Sequence, residues 1–235
     1  MDIHKPKPWH SFREFAKEIG TIVIGVLIAL GAEQAVEWLH TQHEVAEARE
    51  ALKDEMTRDV TSMKFNVEQT PCLQARLDRV SAWIEGGPPP IWDPGSLSAL
   101  NASAWEEART SAVPHMPLKA RIAYDRFYAG LADRLDINRN KRAALAALVR
   151  YSSSAQLPPE ARRQALEAVV SAKIQTNSLA ATDRELVAMA RDLGVKPEAF
   201  RPASVAALAK LCARAPALAA AGGQDATRRS ASPRS

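Results

Sequence analysis

Fourteen consecutive residues without a charge, Ile19 to Ala32, limit this chain more than any other stretch, and they follow a basic N-terminus carrying Lys5, Lys7, Arg13 and Lys17. Eight of the fourteen are Ile, Val or Leu. As a helix the run measures about 21 Å at 1.5 Å per residue, short of the roughly 30 Å hydrocarbon core of a bilayer. The flanks extend it. Trp9, Phe12 and Phe15 stand on one side and Trp38 on the other, as interfacial aromatics do, and Trp9 to Trp38 spans about 43 Å of helix. Lys17 can snorkel along its apolar stem, and Glu18 and Glu33 fall near the interfaces, where a charge costs far less than at the centre. The reading that follows is a transmembrane helix acting as an uncleaved signal anchor. Two others compete with it: a cleaved signal peptide, for which Ala29-Leu30-Gly31 offers a small-x-small site, and a buried helix of a soluble protein.

Orientation follows from Lys and Arg. Four precede the run, whereas the first basic residues after it are Arg49 and Lys53. The positive-inside rule therefore predicts a cytoplasmic N-terminus and an exported remainder, which in a bacterium means an inner-membrane protein with a periplasmic domain.

Behind the run the chain reads as helix almost throughout. Alanine is frequent, aromatics make up 6% and β-branched runs are scarce outside the first forty residues, a composition that favours helices over strands. The expected fold class is all-α: an N-terminal transmembrane helix continuing into a stalk helix, then a helical bundle of about five helices. The expected segments are an arm at 1–8, the transmembrane helix with its flanks at 9–40, a stalk at 41–70, a helical domain at 71–220 and a disordered tail at 221–235. Along the stalk, Val45, Leu52, Met56, Val60, Met63 and Val67 share one face at helical spacing. Eight acidic against three basic residues between Glu33 and Val60 make the other face anionic.

Thr70-Pro71 supplies the first helix stop and Gly86-Gly87, followed by three prolines, the next. Leu73 to Glu85 is then a short separate helix, and another is expected from Ser96 or Ser98 to about Arg109. A long helix is expected from about Pro117 to Ser152, with a bend allowed around Asp136 to Asn140. Another runs from Pro158-Pro159 to about Leu193 with Gly194 as its cap, and a last one follows Pro202. Tyr124, Phe127, Tyr128 and Leu131 form an apolar stripe whose default role is core packing.

The formal charge of +4 is spread among 31 basic and 27 acidic residues. Without a basic patch interleaved with aromatics, it does not point to nucleic acid. No zinc spacing, phosphate loop, dinucleotide fingerprint or nucleophile elbow is present, and no cofactor is expected. Glu37-x-x-His40 is the one metal-like pairing, but a di-metal bundle needs a second such motif and two more glutamates, and the chain lacks them. Its plainer reading is a polar juxtamembrane face, on which His40 and His43 with Glu44 and Glu47 could bind a metal weakly or sense pH near the membrane surface. Ser152-Ser-Ser154 reads as a helix cap. Cys72 and Cys212 are the only cysteines. In an oxidising compartment they can pair, and closing so long a loop would stabilise by up to about 4 to 5 kcal/mol by chain-entropy reasoning; as buried thiols they would contribute packing alone.

Within the run, Glu18, Thr21, Gly25, Ala29 and Ala32, continued backwards by Glu14, lie near one line on the helix. Such a small-residue stripe admits a second helix at close range. The expected partners are therefore the membrane and either another copy of this chain or another envelope protein. The segment Glu18-Ile-Gly-Thr-Ile-Val-Ile-Gly25-Val-Leu-Ile-Ala29-Leu30, with Trp38 after it, resembles the N-terminal E-I-x-x-I-x-x-G-x-L-I-A-L signature of an uncharacterised bacterial family, a domain of unknown function. That resemblance covers about residues 12 to 40 and implies one membrane span with a helical remainder, with no assigned activity. The sequence thus points to a non-enzymatic, membrane-anchored interaction or scaffold protein. Its rival is a membrane-tethered sensor or enzyme whose pocket is lined by Trp105, Glu106, His115 and Tyr124.

Overall fold

The computed structural model describes residues 12–88, 100–151 and 157–213, which contain five α-helices, one 3-10 turn and no strand. The first helix, α1 (Phe12–Ile84), is 73 residues long. It carries the uncharged run, the stalk and one third of a bundle without interruption. A short α2 (Ser103–Ala108) and the 3-10 turn Val113–His115 lead to α3 (Leu118–Val149), followed by α4 (Pro159–Asp192) and α5 (Pro202–Ala213). The expected arm at 1–8, the tail at 221–235 and the serines at 152–154 lie outside the described residues.

Cross-helix bonds establish the directions. Asn66 reaches Asp183, Gln74 reaches Asn177, and Asp78 meets Lys173 at 2.7 Å, so α4 runs antiparallel to α1. Tyr128 bonds Glu55, while Leu145 and Leu148 pack with Leu77 and Val80, so α3 runs parallel to α1. The chain therefore leaves α1 at the far end of the bundle and begins α3 at the end nearest the span. The buried positions recur at alternating steps of four and three: Leu52, Met56, Asp59, Met63, Asn66, Thr70, Leu73, Leu77, Val80 and Ile84 on α1, and Ala165, Val169, Ala172, Thr176, Leu179, Asp183, Leu186 and Ala190 on α4. That 3.5-residue period holds one seam toward the partner helices.

One expected boundary is corrected. The Thr70-Pro71 stop is absent, and the helix expected over Leu73 to Glu85 is the end of α1. A proline inside a helix costs about 3 kcal/mol, yet Pro71 is exposed while Met63, Asn66, Thr70, Leu73 and Leu77 around it are buried. Packing on both sides of the proline outweighs its penalty. The helix stops instead where the chain turns left-handed, at Gly86 with φ +112°. There Gly86 N–H bonds the Trp83 carbonyl and Gly87 N–H the Ala82 carbonyl, a paired cap that needs glycine. Gly194, with φ +78°, closes α4 in the same way.

The core is divided. A cluster near the span joins Leu52, Met56 and Val60 to Phe127, Tyr128, Leu131 and Leu186, and a far cluster joins Leu77, Val80 and Ile84 to Leu145, Leu148 and Val169. Buried polar residues lie between them. A disulfide joins Cys72 to Cys212, with Cα atoms 5.0 Å apart, and ties α5 to α1 across 140 residues of sequence. Phe200 packs edge-on against Phe65 at 5.5 Å and extends the same attachment.

Candidate functional site

Within α1 the apolar segment near the N-terminus is long and apolar enough to cross a membrane, and it is the one such stretch among the described residues. None of it is buried by the rest of the protein. Ile22, Val23, Ile24, Val26, Leu27 and Ile28 are all exposed, and Trp38 and Leu39 at its end are about 60% exposed. Water would make so much apolar surface costly, at about 25 cal/mol per Å². Among the described residues no other element covers the run, and they do not support its reading as a core helix of this fold. Glu18, Thr21, Gly25, Ala29 and Ala32 lie on this exposed segment. The Thr21 hydroxyl donates back to the Lys17 carbonyl at 2.9 Å, and a Cβ placed at Gly25 would meet nothing within 4 Å.

Beyond the run, the His40 and His43 rings pair with Glu44 and Glu47 at 3.1 and 3.2 Å, all well exposed. Among the described residues no group of three or more His, Cys, Asp or Glu side chains is placed to hold a metal ion. The residues expected to line a pocket do not converge. Tyr124 is buried in the cluster near the span, Glu106 pairs with Arg109 at 3.0 Å, and His115 is exposed at the end of the 3-10 turn. Trp105 stacks on Tyr128, with ring centroids 4.6 Å apart. Its other surroundings form an open depression of about 510 Å³, shared with Arg109, Leu118, Arg121, Ile122 and Asp125.

A polar constellation that sequence reading passed over occupies the bundle interior. Glu55 accepts the Tyr128 hydroxyl at 2.9 Å, the Ala104 N–H at 2.9 Å and the Ser103 hydroxyl at 3.3 Å. It thereby caps the first turn of α2 from another helix, and its lone pairs are committed. One turn on, Asp59 accepts the Asn101 N–H at 3.4 Å through Oδ1, while its buried Oδ2 has no partner. Burial raises the Asp59 carboxyl to about 7, with Glu55 adding to the effect. Burial and the neighbouring Glu55 carboxylate likewise raise the Tyr128 phenol.

Farther along, the Arg134 guanidinium meets the fully buried Asp183 carboxylate, and the Asn66 amide donates to the same carboxylate at 2.7 Å. Gln69 bonds Asn66 in turn at 3.1 Å. Lys141, one heptad after Arg134 and only 2% exposed, is lowered to about 8 by burial and by the Arg134 charge. Neither Asp59, Arg134, Lys141 nor Asp183 lines the depression at Trp105 or either of two other surface depressions, one between α1 and α2 and one on α4. Arg134, Asp183, Asn66 and Gln69 are bonded to one another, so an axial slip of one helix would leave a buried charge unpaired.

A sequence signal for this layer existed. Arg134, Asn138 and Lys141 continue the four-and-three spacing of Phe127 and Leu131, and Asp183 sits between Leu179 and Leu186. Compared with protein-family models, with curated proteins and with solved structures, the chain matches none, so the likeness of about residues 12 to 40 to an uncharacterised bacterial signature rests on those residues alone.

Proposed function

We propose that this chain is a membrane-anchored helical protein of the bacterial envelope, with its N-terminus in the cytoplasm, its bundle in the periplasm and a non-enzymatic role in interaction or scaffolding. The observation that carries this reading is the continuity of α1: the same helix presents an uncovered apolar segment and then the buried seam of the bundle. An uncleaved anchor has that form, because the backbone passes through Ala29 to Gly31 without a break and becomes core at Val45. Positive charge before the run and its lack for sixteen residues after Ala32 support the orientation. The disulfide between Cys72 and Cys212 supports an oxidising compartment. Partner binding through the membrane is supported by the stripe Glu18, Thr21, Gly25, Ala29 and Ala32, where the space beside Gly25 is open to a second copy of the chain or another envelope protein.

The test is a reporter active only outside the cytoplasm, fused after residue 220, with membrane and soluble fractions blotted. An active reporter on a full-length membrane product is expected. A soluble, inactive product overturns the envelope reading, and a shortened active product overturns the anchor.

A further inference from the structure

The end of the bundle nearest the span has an asymmetric surface. From this surface we infer that the corner formed by α2, the 3-10 turn and the start of α3 rests on the phospholipid headgroup layer of the membrane that holds the span. The inference rests on the anchored reading above.

Height is the first argument. Ser111 and Ala112 share a groove with Glu44 and Glu47, and Leu118 stands ten residues before Tyr128 on α3 as Val45 stands ten before Glu55, the bonded partner of Tyr128 on the parallel α1. The corner is therefore level with residues 44–45 of α1. That is six residues beyond Trp38, or about 9 Å along the helix. Packed helices lie about 8–10 Å from one another's axes, so an average tilt of about 20° lowers the corner by roughly 3 Å. Trp38 itself lies at headgroup level, and the remaining distance of about 6 Å above it is one that a lysine or arginine side chain covers when it extends toward the interface.

Chemistry is the second. Leu118 is 61% and Ile122 44% exposed, beside the half-buried ring of Trp105. Lys119 is exposed next to them, and the Arg121 guanidinium is held at the corner by the Pro114 carbonyl at 3.3 Å. Asp125 is the one carboxylate lining this depression, and Arg109 shares its charge with Glu106. Aliphatic and indole groups beside cations fit an interface of acyl glycerol and phosphate. The acidic residues at this level, Glu44, Glu47 and Glu107, line the separate groove between α1 and α2. Anionic lipid repels that face and attracts the other, which gives the lean a direction.

The experiment uses the full chain, disulfide intact, in nanodiscs of phosphatidylcholine with a minority of phosphatidylglycerol. A bimane label is placed singly through Val23→Cys, Leu118→Cys or Ala146→Cys, all exposed positions, and quenching by acyl-chain and headgroup spin-labelled lipids is read. The expected result is acyl-chain quenching at position 23, headgroup quenching at 118 and none at 146, about 42 Å farther along α3. Adding Arg121→Gln is expected to lower the docked-to-undocked ratio at 118 about fivefold. Quenching at 23 with none at 118 overturns the docking and leaves the anchor standing. No quenching at 23 overturns both.

Discussion

Residues 19–39 and residues 45–84 belong to one helix, yet their surroundings differ. The first stretch carries no charge from Ile19 to Ala32 and buries nothing against the described protein; the second buries a side chain at every third or fourth position and exposes charge between them. An unbroken backbone does not imply one environment. Both halves keep one helical backbone, so the difference in surroundings lies in side-chain patterning. In the second half the seam even admits Asp59, Asn66 and Thr70: Asn66 donates to Asp183 of α4, the Thr70 hydroxyl donates to the Asn66 carbonyl of its own helix, and Asp59 accepts the Asn101 N–H. Among the described residues the first half has no protein partner of this kind.

The largest effect on this contrast is expected at the polar layer. Arg134→Ala leaves the Asp183 carboxylate buried and unpaired, and should cost about 3–5 kcal/mol in chemical denaturation of the detergent-solubilised protein. Adding Asp183→Ala should recover part of that loss; a double variant as weak as the single one would show that the two groups are not coupled. Next, Leu52→Ala should destabilise the bundle by about 2–5 kcal/mol, whereas Leu27→Ala should change it by less than about 0.5 kcal/mol. Equal losses at the two positions would mean that the halves of α1 do not separate as described.

A further effect, read by its pH dependence, is expected at Asp59. Its folded value of about 7 lies above the ordinary 3.8, so the folded state binds the proton more tightly. The stability this contributes is fully present below the unfolded value and is lost as pH rises through 7. Asp59→Asn should therefore be more stable than the parent above neutrality, with the difference shrinking toward pH 4. Denaturation midpoints across that window read it directly, and a difference that grows toward acid would reverse the assignment.

Much of the fold could be read from residue order. Val45, Leu52, Met56, Val60 and Met63, and the stripe Tyr124 to Leu131, are core positions in the structure, and Gly86 and Gly194 end helices. Pro71 was misleading because its local penalty is visible in sequence, while the packing that offsets it comes from α4, more than ninety residues later. The polar layer was missed for a related reason. Asp183 or Lys141 taken singly suggests a solvated face, and only the four-and-three spacing on several helices together places such residues inside. Cys72 and Cys212 left pairing and burial as competing readings, since nothing in sequence specifies that α5 returns alongside α1.

One consequence of the 73-residue α1 concerns mechanics. From Trp38 to Ile84 the helix extends about 69 Å without a joint. In the anchored reading it is a lever whose pivot is the bilayer, and a span tilts according to the thickness of the lipid around it. A change of 20° in that tilt would carry the Ile84 end sideways by about 24 Å, so a small change in the bilayer becomes a large displacement at the far end of the bundle.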